Sequence, residues 1–280
     1  RKPTMAKKPK TTATSAARAT KGAATTSTTT TSSTKTLSSS QAPAPTSFPL
    51  HLLSNDRWKA PTTSWRPQVL VPGRVLVLTD FFSARECEAW INFCETQGRL
   101  EYTAHPASQW VAHRECYRMQ QSNAHQLAQT IYERLTKASS LLSLLHQETA
   151  TLYNKKTTSY ASVGCNPNLR LYKYLPGHSF GKHVDGSDTV PDMGQTEWTL
   201  LIYLSECQGG ATRFYTTEEE LGGQKRSSRR NCQHSVAYEP KVGSILLHLH
   251  GDYCLEHEGE AVKGGIKYVL RTDLVFQNTC

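Results

Sequence analysis

His183 and Asp185 stand one residue apart in Gly181-Lys182-His183-Val184-Asp185-Gly186. An imidazole and a carboxylate at this spacing can share one cation if a third donor reaches them from elsewhere in the chain. Two imidazoles and one carboxylate on one face of an octahedron leave positions open for a co-substrate and dioxygen, the arrangement of oxygen-activating non-haem iron(II) sites. The triplet alone has low specificity, because most His-x-Asp triplets sit in ordinary surface loops. Its meaning depends on a third ligand and on a group to anchor the co-substrate.

Five downstream or nearby histidines are candidates for that ligand. His178 lies five residues before His183 on the approach to a turn, where a surface role is expected, and His234 follows a charged segment without a patterned partner. His248 and His250 are two apart on an expected strand, share one face and stay rivals on periodicity alone. His257 precedes a strand whose period-two alternation puts Lys267, Val269 and Arg271 on one face. A cation there can pair with a carboxylate held beside a metal. His257 alone joins a ligand and such an anchor in close succession, so it is preferred. The ordinary alternative for Arg271 is an ion pair with an acidic neighbour such as Asp273.

The elements that must position these residues are readable from pattern. Composition becomes globular from about Phe48. Residues 69–78 read as strand, turn and strand, and Ser83-Ala84-Arg85-Glu86 as a capping box. The helix it opens has Cys87, Trp90, Ile91 and Cys94 at helical spacing and stops near Gly98. A second helix is expected over 124–136, with Leu127, Ile131 and Leu135 on one face, continuing in some form through 141–145. Further strands are expected at 169–174, 198–204, 211–215, 235–238, 243–250 and 266–276. Trp90 and Trp198 are assigned to the core, Gly209-Gly210 to a tight connection, Thr212 and Phe214 to packing positions beside the site, and Gly243 to a turn. The charged segment 216–231 reads as a mobile surface insertion. Many short strands after a helical first part predict an α+β fold, mainly β: an antiparallel sandwich or jelly roll with helices packed outside.

Net charge is +9, yet residues 1–55 hold eight basic and no acidic side chains, and the remaining 225 carry 24 basic against 23 acidic. The folded part is near neutral, so no specific nucleic-acid role is expected. The Ser/Thr/Ala/Lys-rich stretch 1–47 has too few large apolar residues to offset chain entropy and is expected to be disordered. A transit-peptide reading of its Ser, Thr and basic content is the weaker alternative, for want of an amphipathic Arg-rich helix. No apolar run reaches the length of a membrane span. Eight cysteines without a CxxC pair fit reduced, mostly buried thiols and an intracellular, cytoplasmic setting, with organellar targeting by the basic tail as the alternative.

Six stretches follow one another along the chain: Tyr174-Leu-Pro-Gly177, Phe180-Gly-Lys-His183-Val-Asp185, Leu201-Ile-Tyr203-Leu204, Gly209-Gly-Ala-Thr212-Arg-Phe214, Lys241-Val-Gly243-Ser-Ile-Leu246, and His257-Glu-Gly259 through Gly265-Ile-Lys267-Tyr268. Together they resemble the Fe(II)- and 2-oxoglutarate-dependent dioxygenases, in their prolyl 4-hydroxylase-like branch. Residues 75–135 resemble the helical support ahead of the catalytic core in that family. The resemblance implies a double-stranded β-helix (jelly roll) with supporting N-terminal helices. Its domain plan is 48–280 as a single dioxygenase domain, with support and first strands in 48–160 and the catalytic β core in 161–280.

The same resemblance makes His183, Asp185 and His257 the iron ligands and catalytic residues. Lys267, ten positions after the distal histidine, would pair with the distal carboxylate of 2-oxoglutarate. Tyr203 would donate to that carboxylate and Tyr174 would face the pocket. Arg271, on the same face, competes with Lys267 as anchor, and Lys267 is preferred. The implied cofactors are Fe(2+), 2-oxoglutarate and O2, with L-ascorbate typical of the family. The implied reaction hydroxylates a C–H bond with release of succinate and CO2, most characteristically on a peptidyl proline. The same chemistry on a free amino acid or other small molecule is the alternative, because fold does not fix substrate. A non-catalytic barrel that has lost iron is disfavoured by the intact triad and the two cations.

Overall fold

Several strands of this chain are apolar on both faces, which requires a packed layer on each side. The computed structural model describes residues 47–53, 58, 65–154, 159–222 and 234–278. The expected tail 1–47, apart from Ser47, lies outside the described residues, as do residues 223–231 of the expected surface insertion.

In chain order the elements are β1 (Gln68–Val71), β2 (Val75–Leu78), α1 (Ala84–Thr96), β3 (Glu101–His105), β4 (Arg114–Gln121), α2 (His125–Lys137) and α3 (Ser139–Leu152). Then follow β5 (Tyr160–Cys165), β6 (Leu169–Tyr174), β7 (Phe180–His183), β8 (Thr189–Val190), β9 (Gly194–Tyr203), β10 (Gln208–Gly209), β11 (Thr212–Thr216) and β12 (His234–Tyr238). β13 (Ile245–Leu249), β14 (His257–Gly259), β15 (Val262–Gly264) and β16 (Lys267–Asn278) complete the fold. The main sheet runs β1-β2-β13-β9-β16-β6-β4-β7-β14-β11-β12, with antiparallel pairings throughout. Its two ends meet: Val71, Val75 and Val77 from one end share a buried cluster with Phe214 and Tyr238 from the other. A sheet whose far strands share one core is curled on itself, as a jelly roll requires.

Period-two alternation sorts the side chains between two cores. Leu76 and Leu78, Leu200 and Ile202, Ile245 and Leu247, and Leu270 and Leu274 face outward onto the helices, in one cluster with Trp90, Leu127, Ile131, Leu141 and Leu145. Their sequence neighbours Val77, Tyr203, Leu246 and Val269 face inward. The helices therefore cover one face, while the chemistry-bearing face lies inside the curl.

α1 opens with the expected capping box: the Ser83 hydroxyl accepts from the Glu86 amide, and the Glu86 carboxylate accepts from the Ser83 amide at 2.9 Å. A cap of this kind contributes about 1 kcal/mol. The second helix ends at Lys137, Ala138 breaks the helical backbone, and a separate helix runs on to Leu152. Gly243 makes the expected turn at φ +75°, and an added Cβ would stand 2.1 Å from the Phe82 carbonyl oxygen. Trp90 and Trp198 are fully buried.

Two expectations need correction. Strands β3 and β4 lie between the first two helices, where the sequence pattern predicts no strand, and β4 lies inside the sheet against β6 and β7. His178 is buried, not on the surface, because its ring stacks on Tyr117 and faces the Glu115 carboxylate at 3.6 Å. The described cysteines are free thiols, four of them buried. No described helix is long and apolar enough to cross a membrane.

Candidate metal centre

Strand pairing solves the distance between His183 and His257. β7 ends on the first and β14 begins on the second, and the two are direct partners across an antiparallel register. Their ring centroids lie 4.2 Å apart. Asp185, two residues beyond the strand end, returns its carboxylate between them: 3.7 Å from His183 Nε2 and 4.0 Å from His257 Nε2. All three donor atoms fall within 4.8 Å of one another.

The rings are oriented from behind. His183 Nδ1 is 2.8 Å from the Gly181 carbonyl and His257 Nδ1 is 2.9 Å from the Leu255 carbonyl. A carbonyl only accepts, so each Nδ1 carries the proton and each Nε2 presents a lone pair. Phe180 stacks on His183 at 3.7 Å and Phe214 on His257 at 5.4 Å, which fixes the ring planes. Burial holds the His183 imidazole down at about 4, with the neighbouring His257 adding to the effect. Burial likewise lowers His257. For Asp185 burial acts in the other direction, but Arg271 and then the surrounding histidines overcome it and hold the carboxyl well below its ordinary value. At neutral pH the set is two neutral imidazoles and one carboxylate, the protonation state a divalent metal requires. The donor chemistry fits iron(II).

Asp185 is held on every side. Arg271 Nη2 reaches its Oδ2 at 2.9 Å and Asp273 Oδ1 at 3.3 Å. The Thr199 hydroxyl donates to Asp185 Oδ2 at 2.8 Å and also contacts His250. Gly251 N–H donates to the Asp185 carbonyl at 2.9 Å, and Asp185 N–H to Cys254 Sγ at 3.3 Å. Arg271 therefore does make the ordinary ion pair with Asp273, and a second with Asp185.

Lys267 stands differently. It pairs in register with Tyr174 of β6, and its strand neighbour Val269 with Tyr203 of β9, so the three polar side chains share the inner face. The lysine is 5 % exposed, its Nζ donates to the Gly210 carbonyl at 2.6 Å, and the Tyr174 and Tyr203 rings lie 5.7 and 5.5 Å away. Among the described residues no carboxylate lies within ion-pair distance of it. Burial pushes the ammonium down to about 8. The Tyr203 hydroxyl bonds Thr212 at 2.7 Å. Lys267, Tyr174, Tyr203, His183, Asp185 and His257 all line one cavity. An uncompensated buried cation next to a metal-type donor set calls for an anionic ligand.

Pattern reading did not weigh Thr199 or Cys254, and left His248 as a rival. Thr199 had one available signal, its inward parity with Tyr203 on β9. His248 is in the site: its Nε2 lies 3.6 Å from Asp185 Oδ2, and its ring centroid 4.4 Å from that of His257. The Gly209-Gly210 turn, expected to be a bare connection, supplies the carbonyl that Lys267 bonds.

No curated protein matches the chain. Three of the solved structures similar to it serve as examples. A collagen prolyl hydroxylase of Paramecium bursaria Chlorella virus-1, in complex with 2-oxoglutarate, is 18 % identical over 72 % of this chain and 95 % of that one, with a TM-score of 0.43. A Trichoplax adhaerens prolyl hydroxylase bound to a hypoxia-inducible-factor peptide is 13 % identical over 72 % and 84 %, TM-score 0.47. The non-haem, α-ketoglutarate-dependent epimerase SnoN of nogalamycin biosynthesis is 9 % identical over 74 % and 81 %, TM-score 0.46. The 2OG-Fe(II) oxygenase superfamily model matches residues 169–272. That stretch contains the three donors and both cations, so the segment that builds this centre belongs to the 2OG-Fe(II) oxygenase superfamily, whose implied cofactors are iron(II), 2-oxoglutarate and O2.

Proposed function

We propose that residues 48–280 form one iron(II)- and 2-oxoglutarate-dependent dioxygenase domain that hydroxylates a peptidyl proline. The observation that carries the dioxygenase reading is the pairing, in one cavity, of the His183/Asp185/His257 donor set with the unpaired buried ammonium of Lys267. Bound iron(II), with 2-oxoglutarate and O2, supplies the oxidising chemistry that hydroxylates a C–H bond as 2-oxoglutarate leaves as succinate and CO2.

The chain's own residues have these roles. His183, Asp185 and His257 hold the metal through Nε2, a carboxylate oxygen and Nε2. Lys267 pairs with the distal carboxylate of 2-oxoglutarate, the Tyr203 hydroxyl donates to the same group, and Tyr174 closes the pocket wall. Arg271 is a positioning residue: its guanidinium is committed to Asp185 and Asp273, so it orients the ligand carboxylate and leaves the anchoring to Lys267. Ascorbate serves as the accessory reductant.

An extended, apolar peptide is favoured over a small molecule by the surface beside the ligands. Val184, between His183 and Asp185, is 61 % exposed. The β3–β4 loop carries Trp110, 86 % exposed, next to half-exposed Val111, and is tied to β7 through the Gly181 N–H to His113 carbonyl bond at 2.7 Å. An open aromatic face of this kind suits the rigid rings of a proline-rich segment.

The test is anaerobic binding of Fe(II) and 2-oxoglutarate, followed by succinate release with a panel of proline-containing peptides. Expected are iron binding by the wild type, peptide-dependent succinate and its loss in His257→Ala. Absence of iron binding, or normal turnover by His257→Ala, overturns the dioxygenase reading. Succinate release driven by a free amino acid and not by any peptide overturns the peptidyl part.

A further inference from the structure

His248 carries a ring nitrogen for which the iron triad has no use. It is 2 % exposed, its Nδ1 lies 3.3 Å from the Leu249 carbonyl, and its Nε2 has no hydrogen-bond partner. An uncharged imidazole nitrogen buried without a partner is a donor waiting for a cation or a proton. It points toward neighbours that also donate. One ligand atom each from His248, Cys254 and His257 lie within 4.8 Å of one another, and Cys254 Sγ is 3.9 Å from His257 Nδ1.

The backbone builds this second set as deliberately as the first. β13 presents His248 on its inner face, directly before the loop that closes over Asp185. Gly251 N–H donates to the Asp185 carbonyl, and a short 3-10 turn over Gly251–Tyr253 sets Cys254, whose amide bonds the Gly251 carbonyl at 3.0 Å. His257 follows three residues later as the first residue of β14.

Two imidazoles with a thiolate are a softer set than two imidazoles with a carboxylate. The former suits a thiophilic d10 cation such as Zn2+ in a tetrahedral site, the latter iron(II) with open positions. We propose that His248, Cys254 and His257 form a zinc-class cation site that shares His257 with the iron triad, so that occupation of one excludes occupation of the other. The exclusion follows from the imidazole itself: a neutral ring has one lone pair, so a cation on the Cys254 side takes it at Nδ1, in place of the Leu255 hydrogen bond, and leaves the proton on Nε2, the atom the iron triad needs. Coordination involves no change of oxidation state; the Cys254 thiol passes its proton to solvent as the sulfur–metal bond forms. The consequence is a built-in block, by which a thiophilic cation silences the oxygenase centre without needing Asp185. The sharing of His257 rests on the iron reading above, whereas the donor set itself does not.

The experiment uses the full chain, reduced and anaerobic, with Cd2+ as the probe of thiolate coordination and Mn2+ as the probe of the triad. Wild type is expected to give a sulfur-to-cadmium ultraviolet band at one equivalent in excess of that given by Cys254→Ser, since the other thiols contribute equally to both. Asp185→Asn is expected to keep the band, and His248→Gln to bind Cd2+ about tenfold more weakly or worse. Circular dichroism establishes that each variant is folded. Zn2+ is expected to displace bound Mn2+ from wild type, followed by the return of the free Mn2+ resonance, and to need at least about tenfold more zinc in Cys254→Ser. Identical cadmium bands in wild type and Cys254→Ser, or Mn2+ displacement at the same zinc concentration in both, overturn the proposal. A wild type that binds Cd2+ through Cys254 but never binds Mn2+ or Fe2+ overturns the iron reading and the sharing, while establishing the thiophilic donor set.

Discussion

Lys267→Met separates what the fold wants from what the site wants. The ammonium is 5 % exposed, and burial lowers it from 10.5 to about 8. At about 1.4 kcal/mol per pH unit this corresponds to roughly 3 kcal/mol of destabilisation of the charged form in the folded protein. Methionine has similar length and no charge, so the substitution removes that penalty but leaves the Gly210 carbonyl without its donor, at a cost of about 1 kcal/mol. The metal-free variant should therefore be more stable than wild type by about 2 kcal/mol at pH 7, roughly 4–8 °C in Tm for a domain of this size. The gain has a pH signature. Between pH 8 and 10.5 the unfolded chain keeps the lysine proton and the folded one releases it, so wild-type stability rises with pH and the gap closes. Below pH 8 both states hold the proton and the gap is complete. The same variant should bind 2-oxoglutarate more weakly by a factor of 100 or more, as expected for truncating one partner of a buried charge pair. Urea denaturation at pH 7 and pH 10, with titration of 2-oxoglutarate onto the manganese-loaded protein, measures both. A variant less stable than wild type at pH 7 that binds 2-oxoglutarate normally would refute the assignment of Lys267 as an uncompensated cation kept for an anion.

Arg271→Gln should weaken iron(II) binding about 10- to 100-fold by releasing Asp185, while 2-oxoglutarate affinity, measured at saturating metal, changes only a few-fold; the reverse pattern would return the anchoring role to Arg271. The same variant leaves Asp273 buried without its cation and should cost about 3–5 kcal/mol in denaturant unfolding. Phe214→Ala removes the ring packed on both His257 and His248 and should cost about 3–5 kcal/mol, with iron affinity falling in parallel. Burial holds His183, His248 and His257 below their ordinary value, so the metal-free protein should lose stability as pH falls below about 6.5, where the unfolded state takes up protons the folded state refuses. Iron binding in a pH titration should accordingly persist through pH 6 and weaken toward His183's value of about 4, and a midpoint near 6.5 would contradict the buried, neutral imidazoles.

What could be read from the sequence was whatever depends on local periodicity. The capping box at Ser83 and Glu86, the turn at Gly243 and the inward parity of Lys267, Val269 and Arg271 all follow from rules that act over a few residues, and the structure has each. The β3–β4 pair escaped because Arg-Glu-Cys-Tyr-Arg-Met-Gln-Gln carries too few apolar residues to look like a strand. Its ladder partner, β6, supplies the pairing that propensity does not. His178 was misplaced for a related reason: what buries it is the stack on Tyr117, a residue 61 positions away in the chain. Periodicity gives His248 a face and closeness to the Lys267 strand singles out His257, but neither gives depth, and both sit within reach of the same carboxylate. That Arg271 engages Asp185, 86 residues earlier, is a fact of the curled sheet and of no local pattern.

Asp185 shows why these pieces cannot be tuned one at a time. Its carboxylate faces the Nε2 atoms of three histidines at 3.6 to 4.0 Å, a guanidinium at 2.9 Å and a hydroxyl at 2.8 Å. A cation bound there competes with Arg271 for the oxygen lone pairs, which lowers the donor strength of the carboxylate toward any metal. What remains fixed is geometry: the carboxylate is already turned toward His183 and His257 before a metal arrives, so little side-chain entropy is lost on binding. A soft cation on His248, Cys254 and His257 escapes the competition with Arg271 altogether, because none of its donors touches the guanidinium. On the proposed reading, iron(II) would meet a preorganised but partly neutralised ligand set, and a thiophilic metal a set that leaves the Asp185 carboxylate aside. Because Arg271 also holds that carboxylate in place, replacing it should cost iron(II) more through lost orientation than it gains through relieved competition, and replacing Cys254 should remove its rival.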